Sequence, residues 1–190
     1  ELTDTIRSKS LQLRRHEKNY FLYAPAKAAD ESKAIHEYLD EMDKILDGVQ
    51  TNKTGWTLSL KNLVREYREQ FSRIELLVKN ISGESAQLKN KFSSYQAVSG
   101  LIESNFLDKP LEDVNYLQKN FSLKSDHKLI IWLNELDTEI NFLRKTGESI
   151  LTVSKELDKK ARENVDNFIR MSRIGILIFF LLFVTIGVGT

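Results

Sequence analysis

The chain has 190 residues, 28 of them basic and 27 acidic, for a net charge of +1. That balance gives no reason to expect nucleic acid as a partner, since such binders carry a strong basic excess. There is no cysteine, which excludes disulfides and thiol chemistry and permits an oxidising compartment. Two prolines and eight glycines are few breakers for this length, so long helices are expected rather than a sheet-rich fold. The chain begins with Glu1 rather than Met and reads as a fragment or processed product, of a length that allows one domain, or one domain plus an appendage.

In chain order, a first helical segment runs from near Leu2 to about Asp47, ending at Gly48, with Pro25 kinking or dividing it near Tyr23. The stretch GVQTNKTG, from Gly48 to Gly55, is a turn by composition. A second helix begins near Trp56. Leu60, Leu63, Tyr67, Phe71, Ile74, Val78 and Ile81 form its apolar stripe. The stretch NISGES predicts a break near Gly83, with one uninterrupted helix as the rival, and the stripe resumes at Leu88, Phe92, Tyr95, Val98 and Ile102. Pro110 suits the first turn of a shorter helix.

The last segment has the most regular pattern. Leu129, Leu133, Leu136, Ile140, Leu143, Gly147, Ile150, Ser154, Leu157, Ala161, Val165, Phe168 and Met171 follow a three-four rhythm, the seam of a bundle or coiled coil. No breaker separates it from Ile174 to Thr190, a run without charge. That run would span about 25 Å as a helix, slightly short of a roughly 30 Å hydrocarbon core. The expected organisation is therefore all-α: an up-down bundle of four-helix type over residues 1–172, then a transmembrane helix over 173–190 that meets the lipid bilayer through 174–190. A bundle joined to a span without a hinge would pass any shift of its last helix across the membrane.

Chemistry within the chain is hard to find. His16, His36 and His127 belong to no short metal-ligand spacing, and no nucleotide-binding or hydrolase motif occurs. The carboxylates of DEMDKILD fall at solvated helical positions. No metal, cofactor or catalytic residue is expected.

One stretch stands apart, LRRHEKNYFLY from Leu13 to Tyr23. On a helix, Leu13, Glu17, Tyr20 and Ala24 share a face that continues from Leu2 and Ile6 toward the core. Glu17 is then inward and needs a partner, most simply Arg14 or an arginine of another helix. Two readings follow: a buried ion pair that sets helix register, or an anion site in which Arg14, Arg15 and Lys18 meet a carboxylate.

The same stretch resembles the motif that opens the first helix of bacterial helical-bundle sensor domains, including the helical bimodular sensors of chemoreceptors and transmembrane histidine kinases. The layout is also similar: motif at 14–23, helices between, a final helix running toward a span. The chain is shorter than a domain of two stacked bundles. The resemblance implies an extracytoplasmic ligand-sensing domain, dimeric, with residues 1–172 periplasmic or extracellular and the span in the bacterial inner membrane. It implies a small organic anion as ligand, held through Arg14, Arg15 and Lys18, and a kinase or chemoreceptor as the parent. The flank Lys155 to Arg173 carries six basic and four acidic residues, which on charge alone leans toward the cytoplasm. The rival reading is a tail-anchored helical protein of membrane fusion or tethering, similar to a syntaxin.

Overall fold

A computed structural model describes residues 2–23, 28–48, 55–91 and 109–188. They form five helices: α1 (Leu2–Tyr23), α2 (Ala28–Gly48), α3 (Gly55–Lys91), α4 (Pro110–Phe121) and α5 (Lys128–Val188). No strand occurs among the described residues, and the architecture is all-α.

The expected kink or division near Tyr23 falls at the end of α1; Pro25 and residues 24–27 lie outside the described residues, as do 49–54 of the GVQTNKTG turn. Ion pairs fix the helix directions. Lys9 pairs with Glu41 and His16 with Glu31, so α2 runs antiparallel to α1. Arg68 meets Asp40 and Asp43 while His36 meets Glu75, so α3 is antiparallel to α2. Arg73–Glu139 with Glu84–His127, and Arg7–Asp158 with the Ser10–Ser154 contact, make α5 antiparallel to both α3 and α1. The four long helices thus form an up-down ring in which α2 touches α1 and α3 but not α5, and α4 packs on α5. Across one diagonal, Tyr20 of α1 meets Phe71 of α3 edge-on at 5.1 Å.

The buried positions follow helical periodicity. Leu60, Val64, Tyr67, Phe71, Ile74, Leu77, Ile81 and Leu88 line α3, and Leu129, Leu133, Leu136, Ile140, Leu143, Ile150 and Leu157 line α5. The expected break near Gly83 is absent, because α3 runs unbroken from Gly55 to Lys91. Gly83 is exposed, with nothing near its Cα, while Ile81, Ser85 and Leu88 around it are buried and hold the helix. Burial of the flanking face overrides a propensity cost of about 1 kcal/mol. Gly83→Ala is accordingly expected to stabilise the protein by about 0.5–1 kcal/mol, read as a higher denaturation midpoint. The stripe positions Phe92, Tyr95, Val98 and Ile102 lie outside the described residues.

Helix α4 begins on Pro110, whose missing N–H costs nothing in a first turn, and closes at Ser122 in the left-handed region at φ 53. Its Asp113 is only 6% exposed. Burial, with the neighbouring Glu112 charge adding to it, pushes the Asp113 carboxyl up to about 7. A raised carboxyl pKa means that the folded state holds the proton more tightly than the unfolded chain. Stability is then greatest below the ordinary carboxylate value and falls as pH rises toward about 7. Asp113→Asn is expected to flatten that slope and to be more stable than wild type at about pH 8 by about 2 kcal/mol, measured by denaturation at several pH values.

Helix α5 is one helix of 61 residues, roughly 90 Å long. His127 caps it: its carbonyl accepts the Ile131 N–H at 3.1 Å and its Nδ1 accepts the Leu129 N–H at 3.2 Å. The seam is buried as far as Leu157. From Arg162 to Leu181 every side chain is exposed, including Val165, Phe168 and Met171. Among the described residues no helix is long and apolar enough to cross a membrane. Of the uncharged run, only Ile174–Leu181 and Val184 have described side chains. The span expected over 173–190 therefore lies partly outside the described residues.

Candidate functional site

The stretch LRRHEKNYFLY folds as the last three turns of α1. Ile6, Ser10, Leu13, Glu17 and Tyr20 all face inward, so the inward placement of Glu17 expected from periodicity is observed. Leu2, expected on the same face, is exposed. Glu17 is a buried carboxylate, 3% exposed, and it has two partners. Arg14, one turn back, donates from Nη1 to Glu17 Oε2. The phenol of Tyr67, across the diagonal on α3, donates to the same oxygen at 2.7 Å. Burial and then the Glu17 charge hold the Tyr67 phenol well above its ordinary range, so it stays protonated and donates.

Gly147 of α5 makes this arrangement sterically possible. A Cβ there would stand 2.7 Å from Arg14 Nη1, 2.9 Å from Arg14 Cδ and 3.2 Å from Glu17 Oε2. The seam glycine is thus the gap through which the Arg14 side chain passes against α5, a close approach that only glycine allows.

Beside this pair lies an open pocket of about 400 Å³ between α1 and α5. Arg14, Glu17, Lys18, Phe21 and Leu22 line it from α1, and Arg144 lines it from α5. The Arg144 guanidinium sits 5.6 Å from the centre of the Phe21 ring, over its face. Arg14 is committed to Glu17, whereas neither Lys18 nor Arg144 has an ion-pair partner among the described residues. The pocket therefore presents two uncommitted cations above an apolar floor, which suits a small carboxylate with a short apolar body.

Of the three residues singled out in the sequence, Arg14 and Lys18 line this pocket and Arg15 does not. Arg15 is exposed on the outer face of α1. Arg144 was not legible in advance, because it lies 130 positions from Arg14 and flanks the α5 seam instead of occupying it. The one signal was Gly147, a glycine among the leucines and isoleucines of the seam from Leu129 to Ile150, one turn away. Arg14–Glu17 is thus a structural pair, and Lys18 lines the pocket beside it together with Arg144. Among the described residues no three His, Asp or Glu side chains cluster as a metal site.

Further along the α1–α5 interface, Ser10 Oγ and Ser154 Oγ lie 2.8 Å apart, and Arg7 donates to Asp158 at 2.6 Å. Arg162 joins Asp158 and Asp4 at the point where α5 leaves the bundle. Burial opposes charge on Asp158, but hydrogen bonds from Arg7 and Arg162 outweigh it and hold the carboxyl below its ordinary range. No protein-family model, no curated protein and no solved structure matches the chain.

Proposed function

We propose that this chain is the extracytoplasmic ligand-sensing domain of a bacterial transmembrane signalling receptor, resembling the helical-bundle sensors of histidine kinases and chemoreceptors. The observation that carries the reading is the continuity of α5. One helix lines the candidate anion pocket with Arg144, leaves the bundle beyond Arg162 and runs on into the uncharged stretch that starts at Ile174. In this reading the stretch continues as a membrane span through 174–190 and the domain lies outside the inner membrane. The ligand is a small organic anion whose carboxylate engages Lys18 and Arg144 while its apolar part rests on Phe21 and Leu22. It joins α1 to α5 and so biases two arrangements of the bundle, a bias that an unhinged helix transmits. The exposed stripe Val165, Phe168 and Met171 supports a homodimer as part of the same proposal.

The experiment is a thermal melt of the full chain in detergent micelles against small carboxylates, amino acids and inorganic anions. Wild type is compared with Lys18→Ala and Arg144→Ala. A saturating ligand at a hundred times its dissociation constant adds about 2.7 kcal/mol of stability. A shift with one carboxylate that Arg144→Ala removes is the expected result; no shift with any anion sinks the ligand-binding half of the proposal. A tail-anchored tethering protein is the second reading, and it draws on the same exposed stripe leading into an uncharged run. It assigns the pocket no ligand and places the bundle in the cytoplasm.

A further inference from the structure

All three histidines of the chain face a glutamate on another helix, and two of them hold the same helix. His16 Nδ1 of α1 lies 2.6 Å from Glu31 Oε2, and Asn19 donates to the other oxygen of Glu31 at 3.3 Å. His36 Nε2 of α2 lies 3.0 Å from Glu75 Oε2 of α3, whose Oε1 accepts from Ser32. The first half of α2 is thus held on both sides by histidine–carboxylate pairs. Its second half is held by Lys9–Glu41 on one side, and by Arg68–Asp40, Arg68–Asp43 and Lys61–Asp47 on the other. Those pairs join lysine or arginine to carboxylates, whereas both pairs on the first half contain an imidazole, the side chain whose ordinary charge change falls between about pH 5 and about pH 8.

We propose that His16 and His36 form a proton-dependent clamp on the first half of α2, tightened by acid, at the end of the bundle where α1 carries the pocket residues Lys18, Phe21 and Leu22. Protonation turns each bond between a neutral imidazole and a partly buried carboxylate into a hydrogen-bonded ion pair with both partners charged, which is the stronger interaction. The other groups facing each ring do not reverse this sign. His16 stacks on Tyr38 at 5.3 Å, and Lys9, itself paired with Glu41, lies 5.0 Å from the same tyrosine on its ring face. His36 meets Phe71 edge-on at 5.5 Å, and Phe71 in turn meets Tyr20. On the α3 side, Arg68 is occupied by Asp40 and Asp43.

His127 is not part of the clamp. Its Nδ1 must keep a lone pair to accept the Leu129 N–H, and its Nε2 is 3.9 Å from Glu84, beyond a hydrogen bond. A proton there would break the cap of α5 and place positive charge at a helix N-terminus. The acid-tightened pairs are therefore the two that tie α2 to α1 and to α3.

The test uses the full chain in detergent, as wild type, His16→Gln/His36→Gln and Glu31→Gln/Glu75→Gln. The glutamines keep size and hydrogen bonding while removing the titrating or the anionic partner. The clamp predicts that the gap in melting temperature between wild type and either variant widens by about 2–4 °C between about pH 8 and about pH 5.5. A gap of the same size at both pH values overturns it. Asp113 titrates in all three proteins and cancels in the comparison. Should either variant fail to fold, hydrogen exchange of wild type decides. After correction for intrinsic rates, residues 28–38 should gain protection relative to 39–48 on acidification, and equal change in the two halves overturns the clamp.

Discussion

Gly147→Leu is expected to destabilise the bundle by about 4 kcal/mol, measured as the loss of unfolding free energy in denaturant. Overpacking alone typically costs about 1–3 kcal/mol, and here the added atoms fall on the Arg14 side chain and the Glu17 carboxylate. The leucine therefore also parts a half-buried arginine from a buried carboxylate, which is worth more than a void of the same size. Gly147→Ala gives a smaller loss, because the helix gains about 1 kcal/mol from alanine while Arg14 must still move aside. The same change at Gly83, in open solvent, is stabilising. The two alanine variants thus have opposite signs for one reason, the presence or absence of Arg14. Removing Arg14 should restore tolerance at Gly147. The double-mutant cycle between Gly147→Leu and Arg14→Ala is expected to show a coupling of about 1–3 kcal/mol.

Glu17→Ala should cost about 3 kcal/mol. It deprives the fully buried Tyr67 phenol of its acceptor and leaves Arg14 without its anion. An unsatisfied buried hydroxyl accounts for about 1–3 kcal/mol of that loss. The arginine adds less than a sealed charge would, because its side chain keeps 24% of its surface in solvent. Glu17→Gln retains an acceptor for Tyr67 and should cost about half as much. Glu17→Ala on its own is expected to leave the two unpaired cations, Lys18 and Arg144, in place at the mouth of the pocket. Loss of anion-induced stabilisation in Arg144→Ala with retention in Glu17→Ala would separate the structural pair from the anion site.

Much of this fold could be read from hydrophobic spacing. The α5 seam from Leu129 to Leu157, the start of α4 on Pro110 and the inward face of Glu17 all follow from local periodicity and proline chemistry. What was not legible depends on tertiary placement. Gly83 looks like a breaker in sequence, yet the buried Ile81, Ser85 and Leu88 carry α3 through it. Val165, Phe168 and Met171 continue the seam in register, but the helices that would cover them end at the Arg7–Asp158 and Arg162–Asp4 pairs. Which of three neighbouring cations points into a pocket is fixed by the rotation of α1 against α5. That rotation turns Arg14 and Lys18 toward α5 and Arg15 away. Arg144, from the far end of the chain, could be recognised only once the two helices were paired.

The central claim is that a sensing bundle stands outside the membrane and is joined to it by α5. A chain without cysteine offers a direct measurement: labelling of a single introduced thiol, Lys33→Cys, by a small sulfonated maleimide in intact bacteria. Lys33 keeps 77% of its side-chain surface in solvent and contributes only a long, exposed pair with Glu37. Labelling in intact cells, with the protein recovered in the membrane fraction, is the predicted result. Labelling only after lysis would place the bundle on the cytoplasmic side and contradict the account.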